Sequence, residues 1–187
     1  MIAIAILVLA MRAALAQETP KGWFAAGSHP KDYEMVVDRS EVHGGKASAS
    51  LKSVASDLKG FGTLMQMFKA DTFRGKRVRM SGYVRAKDVG DWAGLWMRVD
   101  GPKGDAVAFD NMQRRAIKGT SDWTRYEIVL DVPDEAQEIA FGLLLTGKGQ
   151  VWMDDLNFEV VGKEVPTTAE NPSKKAPAGP VNLNFEE

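Results

Sequence analysis

The sequence has no cysteine. That excludes a disulfide framework, a thiolate zinc site and a cysteine nucleophile. Its two histidines, His29 and His43, leave little for a histidine-based metal centre. Both sit in loop-like stretches, beside Pro30 and Gly44, and read as turn-forming or solvent-facing. Basic residues form no block, and Lys+Arg 24 against Asp+Glu 25 gives a formal net charge of −1. No broad electrostatic footprint for nucleic acid is available. Heptads, internal repeats, the GxGxxG and P-loop patterns and the G-x-S-x-G elbow of a serine nucleophile are all missing. The adjacent carboxylates Asp154-Asp155 and Glu186-Glu187 would point to opposite faces of a strand. They cannot flank one glycosidic bond. The chain is therefore expected not to be an enzyme.

Long apolar runs are equally scarce. The one at residues 2–11 is too short to span a bilayer comfortably. Ala14-Leu15-Ala16 puts small residues where a signal peptidase reads, so residues 1–16 are expected to be a signal peptide. The usual basic n-region is absent, and Arg12 lies after the apolar run. The expectation is a periplasmic or secreted protein, with no membrane association after cleavage.

What is present is period-two alternation. Hydrophobic content of 44% can fill a core. In "KRVRMSGYVRA", Val78, Met80, Gly82 and Val84 oppose Arg79, Ser81, Tyr83 and Arg85. In "GLWMRVD", Leu95, Met97 and Val99 oppose Trp96 and Arg98. Strands are expected near 22–26, 33–38, 46–54, 62–69, 76–86, 93–99, 105–110, 123–132, 137–146 and 149–161, with one helical turn near 56–60. One wet and one buried face means antiparallel pairing. Many short strands with turns between them mean an all-β sandwich or barrel. The β-sandwich domain is expected over 17–161. Residues 162–180, rich in proline and poor in apolar groups, form a linker or strap. Residues 181–187 then return to alternation, with Val181, Leu183 and Phe185 set against Asn182 and Asn184.

"GLWMRVDG", "FDNM", "HGGKASASLK" and "VWMDDLNFEV" carry a resemblance. The chain from about residue 20 to 187 resembles a carbohydrate-binding-module-like jelly roll (galactose-binding-domain-like) of bacterial exported proteins. Such domains occur beside erythromycin-esterase-like and tail-specific-protease-like domains, and also alone. Some are labelled transcriptional regulators, although this sequence shows no helix-turn-helix pattern. In such jelly rolls an "N-L-x-F-E" strand comes first, before the Gly-Trp that matches Gly22-Trp23. Here the matching strand is the last one. Either it folds back to complete the sheet, which is the favoured reading, or it begins a further domain.

Candidate sites follow. Tyr83, Arg85, Trp96 and Arg98, joined by Gln66, would share a wet face if their strands pair. Aromatic rings can lie under sugar C–H faces, and Arg suits planar polar recognition. The alternative is that Trp96 packs and the arginines pair with Asp88, Asp100 or Asp110. Asp110 and Asn111 could touch ligand, but Asp-Asn at a strand end more often caps a turn. The resemblance also implies a structural calcium ion held by Asp155 and Glu186, oxygen ligands that suit it. The expected function is a non-catalytic binding module for carbohydrate. The competing class is an accessory domain that meets a protein partner.

Overall fold

A computed structural model describes residues 19–169. They form nine strands and three single turns of 3-10 helix, with no α-helix among the described residues. In chain order the strands are β1 (Phe24–Gly27), β2 (Tyr33–Asp38), β3 (Ser48–Ser53), β4 (Phe61–Lys69), β5 (Arg77–Asp100), β6 (Ala106–Asp110), β7 (Ile117–Asp131), β8 (Glu138–Thr146) and β9 (Gln150–Val161). Every pairing is antiparallel. The expected all-β sandwich is thus observed. No helical turn forms at 56–60; those residues make bends.

The two segments expected as separate strands at 76–86 and 93–99 are one strand, β5, and it belongs to both layers. Its first half pairs with β7 and β9, giving a sheet ordered β7–β5–β9–β3–β2. Its second half pairs with β6 and β8, giving β6–β5–β8–β4–β1. We call these sheet I and sheet II. The strand turns the corner at Asp88, which has φ 53°. Inward positions are even-numbered before the corner (Val78, Met80, Val84) and odd-numbered after it (Leu95, Met97, Val99), and all six are fully buried. The β8–β9 hairpin turns at the same place. A Cβ on its Gly149 (φ 133°) would meet the Val89 Cα at 2.8 Å, so only glycine fits.

The inner faces close on one core of Leu51, Leu64, Met80, Leu95, Met97, Ile128, Leu130, Leu143 and Leu145. Burying each such side chain contributes roughly 1.5–3 kcal/mol. One end is sealed by aromatic rings. Phe141 meets Trp23 edge-on at 5.2 Å and Phe158 at 4.9 Å.

Beyond β9 the chain is fastened across sheet I. Arg77 donates to the carbonyls of Lys163 and Val165. Thr168 N–H donates to Val129 O at 2.9 Å, and Val129 N–H donates to the Thr168 hydroxyl at 2.8 Å. The Arg77 fork also grips Asp131 at 2.9 Å through both carboxylate oxygens. That bond, with help from Lys163 and against the opposing effect of burial, lowers the Asp131 carboxyl from 3.8 to about 2. A depressed carboxyl stabilises the fold above its unfolded value and loses that contribution as pH falls through its folded value. Asp131→Asn should therefore melt lower than wild type at neutral pH. The gap should close as pH falls from about 4 towards 2, which thermal melts across a pH series would show.

Candidate functional site

The first half of β5 turns Arg79, Ser81, Tyr83, Arg85 and Lys87 outward by simple alternation. On β9 the same rule turns out Gln150, Trp152 and Asp154, which sit opposite Lys87, Arg85 and Tyr83. Of these, Arg85, Lys87, Gln150 and Trp152 floor a cleft of about 300 Å³ on the outer face of sheet I, with Glu41, Asp88 and Asp122 on its walls.

Arg85 is its centre. Its guanidinium carbon lies 5.9 Å from the centre of the Trp152 ring, within the range of a cation–π contact. It forms an ion pair with Glu41 and approaches Asp122 at 4.0 Å. Trp152 is buried beneath it. The indole N–H donates to Asp38 at 2.8 Å. Asp38 also accepts from the Ser40 backbone N–H at 2.8 Å and hydroxyl at 2.7 Å. Burial raises the Asp38 carboxyl, but the bonds from Ser40, Trp152 and the Glu41 backbone outweigh it and hold it below the usual carboxylate range. The carboxylate thus stays charged and anchors the start of the 39–47 loop that carries Glu41. Gln150 donates to Ser50 at 2.9 Å.

That same loop lays a second set of rings on the face. His43 stacks on Tyr83 at 3.6 Å with 15° between planes, and meets Trp123 edge-on at 5.8 Å. Its Nδ1 donates to Asp155 at 2.6 Å. The backbone N–H groups of His43 and Gly44 donate to Asp154 at 2.9 and 3.1 Å.

The structure does not bring the sequence-derived candidates together. Tyr83 and Arg85 lie on the outer face of sheet I. Trp96 and Arg98 lie on the outer face of sheet II, because the two halves of β5 do not pair with each other. Trp96 is not an open platform: it is 7% exposed, among Met65, Ala140 and Leu144, with Trp92, Phe61 and Phe109 around it. Its ring N–H donates to Thr63 at 2.7 Å, and Thr63 donates to Leu143 O at 2.8 Å. Arg98 forks onto Asp100 at 2.7 and 2.9 Å, one of the pairings considered from sequence. Gln66 has the parity of the buried Leu64 and faces inward; it donates to Gly22 O at 3.2 Å. Asp110 is fully buried, bonded to Met112 N–H at 2.8 Å and gripped by Arg115 at 2.7 Å. Asn111 accepts from Gln113 N–H at 3.0 Å. Both Asp110 and Asn111 therefore build a turn.

Trp152, Glu41, Gln150, Trp123 and His43 were missed as site residues. For Trp152 and Gln150 the signal was present, since "QVWMD" alternates as plainly as "GYVRA". Glu41 and His43 sit in a loop without period.

Of the two residues the resemblance implies as calcium ligands, Glu186 lies outside the described residues. Among the described residues no cluster of three or more His, Asp or Glu side chains could hold a metal. Asp155 accepts from His43, and its neighbour Asp154 accepts from two backbone N–H groups. The described partners of these two carboxylates are hydrogen-bond donors.

The chain has the β-sandwich fold of carbohydrate-binding modules. The CBM22-1 xylan-binding domain of Paenibacillus barcinonensis Xyn10C superposes with TM-score 0.56 at 16% identity, over 78% of this chain and 89% of that one. TmCBM61, solved with β-1,4-galactotriose, superposes with TM-score 0.51 at 15% identity, over 76% and 91%. In sequence, the chain is 50% identical over 168 residues to the uncharacterized HTH-type transcriptional regulator YbfP of Bacillus subtilis (strain 168). The match spans 89% of this chain and 57% of that relative. No family model matches.

Proposed function

We propose that this chain is a non-catalytic carbohydrate-binding module that holds a glycan in the cleft on the outer face of sheet I. One observation carries the reading. Rings and planar hydrogen-bonding groups share one outer sheet face: the His43–Tyr83 stack with Trp123 supplies the rings, and Arg85, backed by the buried Trp152, with Gln150 beside it supplies the planar polar groups. Rings receive the C–H faces of a sugar while guanidinium and amide groups read its hydroxyls. Structural relatives that bind xylan and β-1,4-galactotriose support it. Of the carboxylates around the cleft, Glu41 pairs with Arg85, Asp88 accepts from the Thr120 hydroxyl and Asp122 stands in solvent, which supports the non-catalytic reading. Export to the periplasm or beyond belongs to this reading, through residues 1–16, which lie outside the described residues.

A second reading has one observation behind it. The Bacillus relative is described as an HTH-type regulator, and no α-helix exists among the described residues to supply such a motif. The sandwich would then be the ligand-sensing or protein-contacting part of a longer regulator and would stay inside the cell. A glycan array, a pull-down and cell fractionation separate the two. Specific glycan binding by exported protein supports the first. Capture of one specific protein, with no glycan bound and the chain retained in the cytoplasm, supports the second.

A further inference from the structure

Among the described residues, sheet I has an open edge beside β9. The neighbouring strand β3 pairs with β9 only along Ala49–Lys52 against Gln150–Met153. At Asp155, φ 49° marks a slip in register. From there β9 continues through Leu156 to Val161 with β5 on one side. Among the described residues, no strand lies on its other side. An unpaired edge of this kind presents backbone N–H and C=O groups ready for another strand.

The side chains along this edge point to the same gap. Phe158 and Val160 sit opposite Met80 and Val78, which are inward-facing and fully buried. Val160 nevertheless is 52% exposed. At the Leu156 end of this edge lies a groove of about 240 Å³, lined by Trp23, Val37, Met153 and Leu156 and also by the polar Ser48, Asp154 and Asp155. An open backbone edge and an exposed inward-facing side chain, Val160, coincide, and the groove adjoins the edge at Leu156. They define the seat of one more strand, apolar on its inner side.

We infer that residues 181–187 of this same chain occupy that seat. "VNLNFEE" offers Val181, Leu183 and Phe185 on one side and Asn182 and Asn184 on the other, the pattern such a seat selects. The chain can reach it. Residues 162–169 are held on sheet I by Arg77 and Val129, with Ala169 packed against the core. From there residues 170–180 can extend roughly 35 Å, several times the spacing of about 4.8 Å between strands. Loop-closure entropy grows only logarithmically with length, so an intrachain strand has the advantage over one from another molecule. This inference stands whatever the cleft binds.

Hydrogen exchange on the full chain tests it without any variant. Amides of 156–161 that point away from β5 should be protected as strongly as those that point towards it. Truncation after Pro180 should release that protection and lower the melting temperature by roughly 5–15 °C. Phe185→Asp in the full chain should do the same to a lesser degree. Fast exchange of those amides in the full chain would overturn the inference. So would an unchanged melting temperature on truncation, or protection found only in a dimer and lost on dilution.

Discussion

Trp96→Ala should cost about 3–5 kcal/mol of stability, the range for truncating a buried large aromatic side chain. For a domain of this size that lowers the melting temperature by roughly 10 °C or more. The ring fills the space among Met65, Ala140 and Leu144 on the outer face of sheet II. Its loss also removes the hydrogen bond from its ring N–H to the buried Thr63 hydroxyl, which adds to the penalty. Well below the melting temperature, the folded variant should bind glycan as wild type does. Calorimetric melts and a titration at 10 °C check both halves. A melting temperature within a few degrees of wild type, combined with lost binding, would return Trp96 to the binding face.

Arg85→Ala should do the reverse. A charged hydrogen-bonding group in a binding site contributes roughly 1.5–3 kcal/mol, so glycan affinity should fall by roughly 10- to 150-fold. Stability should change little, because the Arg85–Glu41 pair is half-exposed and exposed ion pairs contribute about 0–1 kcal/mol. Arg85→Lys keeps the charge but loses the planar fork over Trp152, and should recover only part of the affinity. Titration calorimetry with an oligosaccharide that binds wild type gives these ratios directly. Equal affinity in wild type and Arg85→Ala would remove the cleft from consideration as the glycan site.

Much of the fold was legible because alternation depends only on side-chain direction. Val78, Met80 and Val84 announce a strand with even positions inward; Leu95, Met97 and Val99 announce one with odd positions inward. Their change of phase also marks the corner at Asp88, though not that the strand passes through it unbroken. Continuity depends on the left-handed Asp88 and on Gly149 packed against it across the corner, and isolated loop-like residues do not reveal that partnership. The site was legible only in part for the same reason. Alternation says that Tyr83 and Trp96 both point outward, but not that they point outward from different sheets. It also cannot say what covers an outward ring. Trp96 is hidden by Met65, Leu144 and Phe109, which arrive from β4, β8 and β6, and Gln66 fell on the inner face because its neighbour Met65 took the outer one. Glu41 and His43 reach the face through the hydrogen bonds of Asp38 and Asp154, tertiary contacts that leave no periodic trace. The tail was different: "VNLNFEE" reads as a strand by itself, and among the described residues Leu156–Val161 of β9 pairs with β5 alone.

The most direct test of the binding account is a glycan array probed with four proteins: wild type, Arg85→Ala, Gln150→Ala and Arg98→Ala. Arg98 serves as the control, since it forms its ion pair with Asp100 on the opposite sheet. The account predicts that wild type and Arg98→Ala bind the same glycans, and that Arg85→Ala and Gln150→Ala lose them while remaining folded. Folded wild type that binds no glycan, or binding lost with Arg98 and kept without Arg85, would contradict it.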